Sequence, residues 1–177
     1  MDFFLDTGPI YGWSATNDKS HHQDCATLFR MYPVNLHEYY TTKSIVKEEL
    51  KNLRTKRLSG VDQLVRLFER RCREILSKIN DADYTRHPEY HPLSQKILEY
   101  LDQIKKDVNP KDRDAALLAN AFLWDKETAE LYLPTFLTLD QHDIGNNQME
   151  IKNIAEGVLK RKSALQIVLV REIVRTR

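Results

Sequence analysis

FFLDTG, residues 3–8, is the stretch whose reading decides the fold. Phe3, Phe4 and Leu5 form a short apolar run of the kind that makes a buried strand. The run stops on a carboxylate, Asp6, followed by Thr7 and the strand-breaking pair Gly8-Pro9. In an open parallel sheet the carboxyl ends of the strands face the ligand crevice. An acid at that point is either ordinary turn chemistry or the first piece of an active site.

Working outward, the same pattern recurs near the other end of the chain. FLTL, Phe136 to Leu139, is an apolar run that stops on Asp140. HEYYTT, residues 37–42, reads as a second strand, and LQIVLV, residues 165–170, as a mostly apolar run typical of a buried parallel strand. Helical periodicity fills the spaces between them. Pro9 to Trp13 predicts a short helix. Cys25, Leu28, Phe29 and Tyr32 share a helix face that Pro33 ends. Ile45, Val46, Leu50 and Leu53 make another stripe. Val61 to Asn80 carries the cleanest one, with Arg66, Arg70 and Arg73 on its solvated side. Asp81 to Pro92 reads as a polar loop; Leu93, Ile97, Leu101, Ile104 and Val108 then give a further helix, and Ile151, Ile154, Ala155, Val158 and Leu159 one more. Strands alternating with helices predict an α/β fold: three layers, α/β/α, around a central parallel sheet of four or five strands. A length of 177 residues fits a single domain spanning 1–177, with an extended helical segment at about 58–108.

Composition narrows the class. Charged residues make up 30% of the chain, yet the formal net charge is only +1. No global basic excess marks a nucleic-acid binder, so any such contact must come from local patches. Two cysteines, Cys25 and Cys72, at apolar helix positions and without a signal-peptide pattern, predict reduced core thiols in a cytoplasmic protein. Apolar runs such as Ala115 to Ala119 and Ile167 to Val170 are far too short to span a bilayer, so no membrane partner is expected.

Two further acids stand out by position. Glu49 lies on the apolar stripe of its helix, with Val46 three residues before it and Ile45 and Leu53 four residues to either side. Its neighbour Glu48 has Ser44, Lys51 and Asn52 at those spacings and belongs in solvent. Asn109-Pro110-Lys111-Asp112 reads as a helix start, Asn at the cap and Pro at the first position, which accounts for Asp112. Asp114 has no such account. It heads AALLANAFL, apolar nearly all round, where a carboxylate is costly unless something charged meets it. The histidines are weaker: His21 and His22 are adjacent and point apart, while Pro88 and Pro92 argue against a helical His87–His91 pair. Asp6, Glu49, Asp114 and Asp140 then form a crowd of carboxylates with no Lys or Arg built into it. That is unfavourable without cations, and hard oxygen ligands select Mg²⁺ or Mn²⁺, ions that commonly handle phosphates.

These stretches resemble the PIN-domain nucleases, including the toxin-type PIN ribonucleases, over almost the whole chain. FFLDTGPIYGW with Asp18, His21 and His22 is similar to the family's opening strand and helices and carries its first acid onto Asp6. IVKEEL looks like its Val-x-x-Glu-Leu segment and selects Glu49. DRDAALLANA is similar to its Asp-Ala-x-x-x-Ala-x-Ala helix and selects Asp114. FLTLDQHDI looks like its Thr-x-Asp strand end and selects Asp140, with Asp143 as an auxiliary metal ligand. The segment from Leu58 to Val108 is longer than in compact toxin members. The resemblance implies a Mg²⁺- or Mn²⁺-dependent endoribonuclease in which Asp6, Glu49, Asp114 and Asp140 hold the metal and RNA is the substrate. It also implies that a cognate antitoxin-like inhibitor and a homodimer are to be looked for. Thr7 or Thr138 would position a ligand or phosphate, and Lys47, Lys51, Arg54 and the C-terminal arginines Arg171, Arg175 and Arg177 would grip phosphates. Two rivals stand beside this reading. A haloacid-dehalogenase-like phosphatase needs a second Asp two residues after the first, and that place is Gly8. A catalytically silent PIN-fold module would bind RNA or protein and keep only the fold.

Overall fold

A computed structural model of the chain describes residues 1–58, 62–104, 111–128 and 131–175. Five parallel strands form one sheet in the order β3-β2-β1-β4-β5: β1 Phe3–Leu5, β2 Tyr39–Thr41, β3 Asn80–Asp81, β4 Thr135–Thr138 and β5 Gln166–Leu169. β1 lies in the middle. Phe4 is opposite Tyr40 of β2 on one side and Phe136 of β4 on the other. All three of its side chains are fully buried. The Phe3 ring stacks on Tyr39 with centroids 5.0 Å apart, and Phe4 lies 6.0 Å from Phe136 and 5.7 Å from Trp124.

The helices are α1 Thr7–Ser14, α2 Lys19–Met31, α3 Lys43–Arg57, α4 Asp62–Lys78, α5 Tyr90–Ile104, α6 Asp112–Glu127, α7 Gln148–Leu159 and α8 Val170–Arg175. α1 packs on α2, α3 and α4, and α2 on α8, as one layer; α5 packs on α6 and α7 as the other. Right-handed crossovers require this split. The connections through β2 to β3 step away from β1 in one direction, and those into β4 and β5 step the other way, so their helices cover opposite faces. The chain is therefore a three-layer α/β/α fold. The sheet changes direction between β1 and β4, which makes the crevice beyond their carboxyl ends the expected ligand site.

Several boundaries differ from the sequence reading. β3 was not expected: Asn80 falls at the end of an expected helix and Asp81 at the start of an expected loop, but both are polar and exposed and pair with β2 at the sheet's edge. α5 begins at Tyr90 and takes in Pro92, which the first turn tolerates because its N–H would have no intrahelical partner there. The last apolar run divides into β5 and α8. Asn109 and Pro110 lie outside the described residues, as do Val61, Val108 and Arg177. α6 starts at Asp112 with Lys111 at the cap position, so Asp112 is the first helical residue and not the third. Cys25 and Cys72 are free and buried, and burial pushes their thiols up to about 12 and about 11. Among the described residues no helix is long and apolar enough to cross a membrane.

Candidate functional site

Asp6 closes β1 and caps α1. One oxygen accepts the Thr7 N–H at 2.7 Å, and the other accepts the Thr138 hydroxyl at 2.6 Å. The second bond ties the end of β1 to the end of β4. Gly8 allows this: a Cβ there would lie 3.1 Å from the Leu139 Cβ, so α1 starts hard against the chain leaving β4. Thr138 Oγ1 also accepts the Asp140 N–H at 2.9 Å. Thr7 turns the other way and donates to Glu49 Oε2 at 2.5 Å, linking α1 to α3. Both threonines thus position acids of the site.

Asp6, Glu49, Asp114 and Asp140 line one cleft of about 450 Å³ at the direction change of the sheet. Glu48 points away, 67% exposed, and pairs with Arg113 at 2.9 Å; Asp112 is exposed. Periodicity thus separated Glu48 from Glu49 in the sense the structure has them, whereas Asp112 is exposed as the first residue of α6 and not through the expected Asn109 cap. Asp6 is buried, and burial, then the Glu49 charge, push its carboxyl up to about 7 against the opposing bonds from Thr138 and Thr7. Asp114, with 19% of its side chain exposed, is raised too, by burial and then by the charges of Asp6 and Glu49. The acids feel one another's charge.

One expectation needs correction. A cation is built into the crowd: Lys111, with 7% of its side chain exposed, reaches Asp143 Oδ2 at 2.5 Å and Asp114 Oδ2 at 3.8 Å. Burial lowers its affinity for the proton, but the Asp143 bond and the charges of Asp114 and Asp143 outweigh this and raise it. Asp143 is buried and held by Lys111, and its N–H donates to Asp140 Oδ1 at 2.9 Å; it does not line the cleft.

The basic residues are also redistributed. Lys47, Lys51 and Arg54 are not brought to the acids. They line a separate groove of about 560 Å³ between α3 and α4, floored by Leu50, Phe68 and Cys72, where Arg54 pairs with Glu69. Helix geometry explains it: Lys47 and Lys51 stand two residues either side of Glu49, about 200° round the helix. Asn52, Lys56 and Arg57, at three, seven and eight residues after Glu49, share its face and line the acidic cleft with Arg113 and His21. The same spacing rule would have found them. Arg57 lies 5.2 Å over the Tyr11 ring and 4.0 Å from Asp18, while His21 bonds Asp18 at 3.0 Å. Arg171 and Arg175 line an adjoining cleft of about 420 Å³ that shares His21, Leu139 and Asp140 with the first.

Among the described residues no group of three or more His, Cys, Asp or Glu makes a ready-formed metal site. The acids share a cleft without converging on a point, and Thr7 and Thr138 occupy one oxygen each of Glu49 and Asp6. In chemistry the set fits a hard divalent cation: oxygen donors only, mutually repelling, with two carboxyls raised by burial and by their neighbours. Comparison with known proteins gives no match to a family model, a curated protein or a solved structure.

Proposed function

We propose that the chain is a metal-dependent ribonuclease of the PIN type, hydrolysing RNA phosphodiester bonds with Mg²⁺ or Mn²⁺ held by Asp6, Glu49, Asp114 and Asp140. The observation that carries the reading is that acids from four separate elements line one cleft where the sheet changes direction. A bound Mg²⁺ or Mn²⁺ supplies Lewis acidity, activating water and stabilising charge that develops on phosphorus and the leaving oxygen. The chain's own groups have distinct tasks. Thr138 and Thr7 hold the Asp6 and Glu49 carboxylates in the cleft, and Lys111 fixes Asp143 and with it the turn carrying Asp140. Lys56, Arg57, Arg113 and, in the adjoining cleft, Arg171 and Arg175 are placed to bind phosphates, taking the role first given to Lys47, Lys51 and Arg54.

The test is cleavage of RNA with Mn²⁺ or Mg²⁺, with and without chelator. Asp6→Asn should abolish cleavage, and Glu49→Gln and Asp114→Asn should each cost at least about a hundredfold, the scale of a lost catalytic group. Glu48→Gln and Asp112→Asn should stay within roughly tenfold, well short of that scale. Parental rates in Asp6→Asn sink the site. Asp143 is already answered by Lys111, and Asp6 and Glu49 by threonine hydroxyls, which supports a second reading, a catalytically silent module that binds RNA or protein. RNA binding without metal-dependent cleavage would select it.

A further inference from the structure

Among the described residues, the row of acids is answered by a buried cation at one end only. At the Asp114–Asp143 end the Lys111 ammonium lies 2.5 Å from Asp143 Oδ2 and 3.8 Å from Asp114 Oδ2, and Asp140 is tied to Asp143 through a backbone N–H. At the Asp6–Glu49 end the carboxylates are held by threonine hydroxyls, and neither forms an ion pair among the described residues. A two-metal site needs two cations about 3.5–4 Å apart, each with its own carboxylates. At the Lys111 end a fixed positive charge with a buried partner already stands, and a divalent ion there would be repelled by it and deprived of Asp143.

We infer that Lys111 stands in for a second metal ion, so that the cleft takes a single divalent cation at its Asp6–Glu49 end. The inference rests on reading the acids as cation ligands. Lys111 is a positioning residue in this account: it supplies fixed charge and fixes the Asp140–Asp143 turn. A purely structural pin would do the second without affecting how many ions bind.

Titration of Mn²⁺ into the metal-free chain, with free Mn²⁺ followed by electron paramagnetic resonance, counts the ions directly. The parent and Lys111→Arg should bind one Mn²⁺ per chain. Lys111→Met, which keeps the apolar stem and removes the charge, should bind two. Asp6→Asn should weaken the single site at least about tenfold, as loss of a metal-site group does. Two ions in the parent would overturn the inference while leaving the nuclease reading in place. No bound Mn²⁺ in the parent would overturn both. A folded Lys111→Met that still binds one ion would make Lys111 a structural pin only. Should Lys111→Met fail to fold, the parent and Lys111→Arg counts decide.

Discussion

Replacing Asp6 by Asn tests the charge crowding without any assumption about catalysis. Asn caps a helix as well as Asp does. Its carbonyl can keep the Thr7 N–H bond, and its amide can donate to Thr138 Oγ1 once that hydroxyl turns, so the local cost is at most about 1 kcal/mol. Against this stands the cost of burying the charge, and after it the repulsion from Glu49, that Asn removes. A carboxyl raised from 3.8 to about 7 by burial and by Glu49 disfavours the folded, ionised state by roughly 4 kcal/mol, at 1.36 kcal/mol per pH unit. Relaxation of the neighbouring acids reduces that, and a net gain of about 1–3 kcal/mol is expected for Asp6→Asn in chelator at about pH 8. The sign has a pH signature. Between about pH 4 and 7 the folded parent holds a proton that the unfolded chain has released, so parental stability falls as pH rises through that window and levels off above it. The advantage of Asn should therefore vanish at about pH 4 and below, where Asp6 is protonated in both states. Urea unfolding of both chains in chelator across that range measures it. An Asn variant less stable than the parent at pH 8, or a difference that ignores pH, would refute the crowding and make Asp6 a structural hydrogen-bonding group.

Three other outcomes follow from named contacts. Thr138→Val removes the donor to Asp6 and the acceptor for the Asp140 N–H, and should cost about 1–3 kcal/mol in urea unfolding. A cost near zero would mean water satisfies both groups. Gly12→Ala places a Cβ 2.6 Å from Cys25 Sγ and 3.1 Å from the His21 carbonyl oxygen, and should lose about 1–3 kcal/mol by overpacking. Adding Cys25→Ala should recover part of that loss, and no recovery would assign the clash to the backbone. Arg57→Gln should weaken RNA binding and lower its salt dependence by about one counterion, whereas Lys47→Gln, on the far side of α3, should leave both unchanged. Equal effects of the two would remove the cleft as the phosphate track.

Most of the fold was legible because its signals are strong and local. Phe3–Leu5 and Thr135–Thr138 are unbroken buried runs ended by polar residues, and such runs separated by amphipathic helices leave few topologies. β3 was not legible. Asn80 and Asp81 are exposed and poor strand formers, and only pairing with β2 makes them a strand. At the site, periodicity placed Glu49 in the cleft and Glu48 outside it. The same rule, applied to the basic residues of α3, separates Arg57 from Lys47; charge alone was no guide to the face. Lys111 was hidden for another reason. It reads as part of a polar helix start, and its burial depends on Asp143, far away in sequence and brought to it only by the finished fold.

The central place of β1 sets the order in which the cleft can come into being. Phe3–Leu5 has β2 on one side, but its other partner, β4, and the Thr138 hydroxyl that holds Asp6 come 132 residues later. During synthesis at about 5–20 residues per second, Asp6 leaves the ribosome roughly 7–26 s before Thr138. Until then Asp6 lacks its tie to β4, and closing so long a loop is a slow step in folding. The growing polypeptide therefore completes the cleft only after Thr138 and Asp140 have left the ribosome.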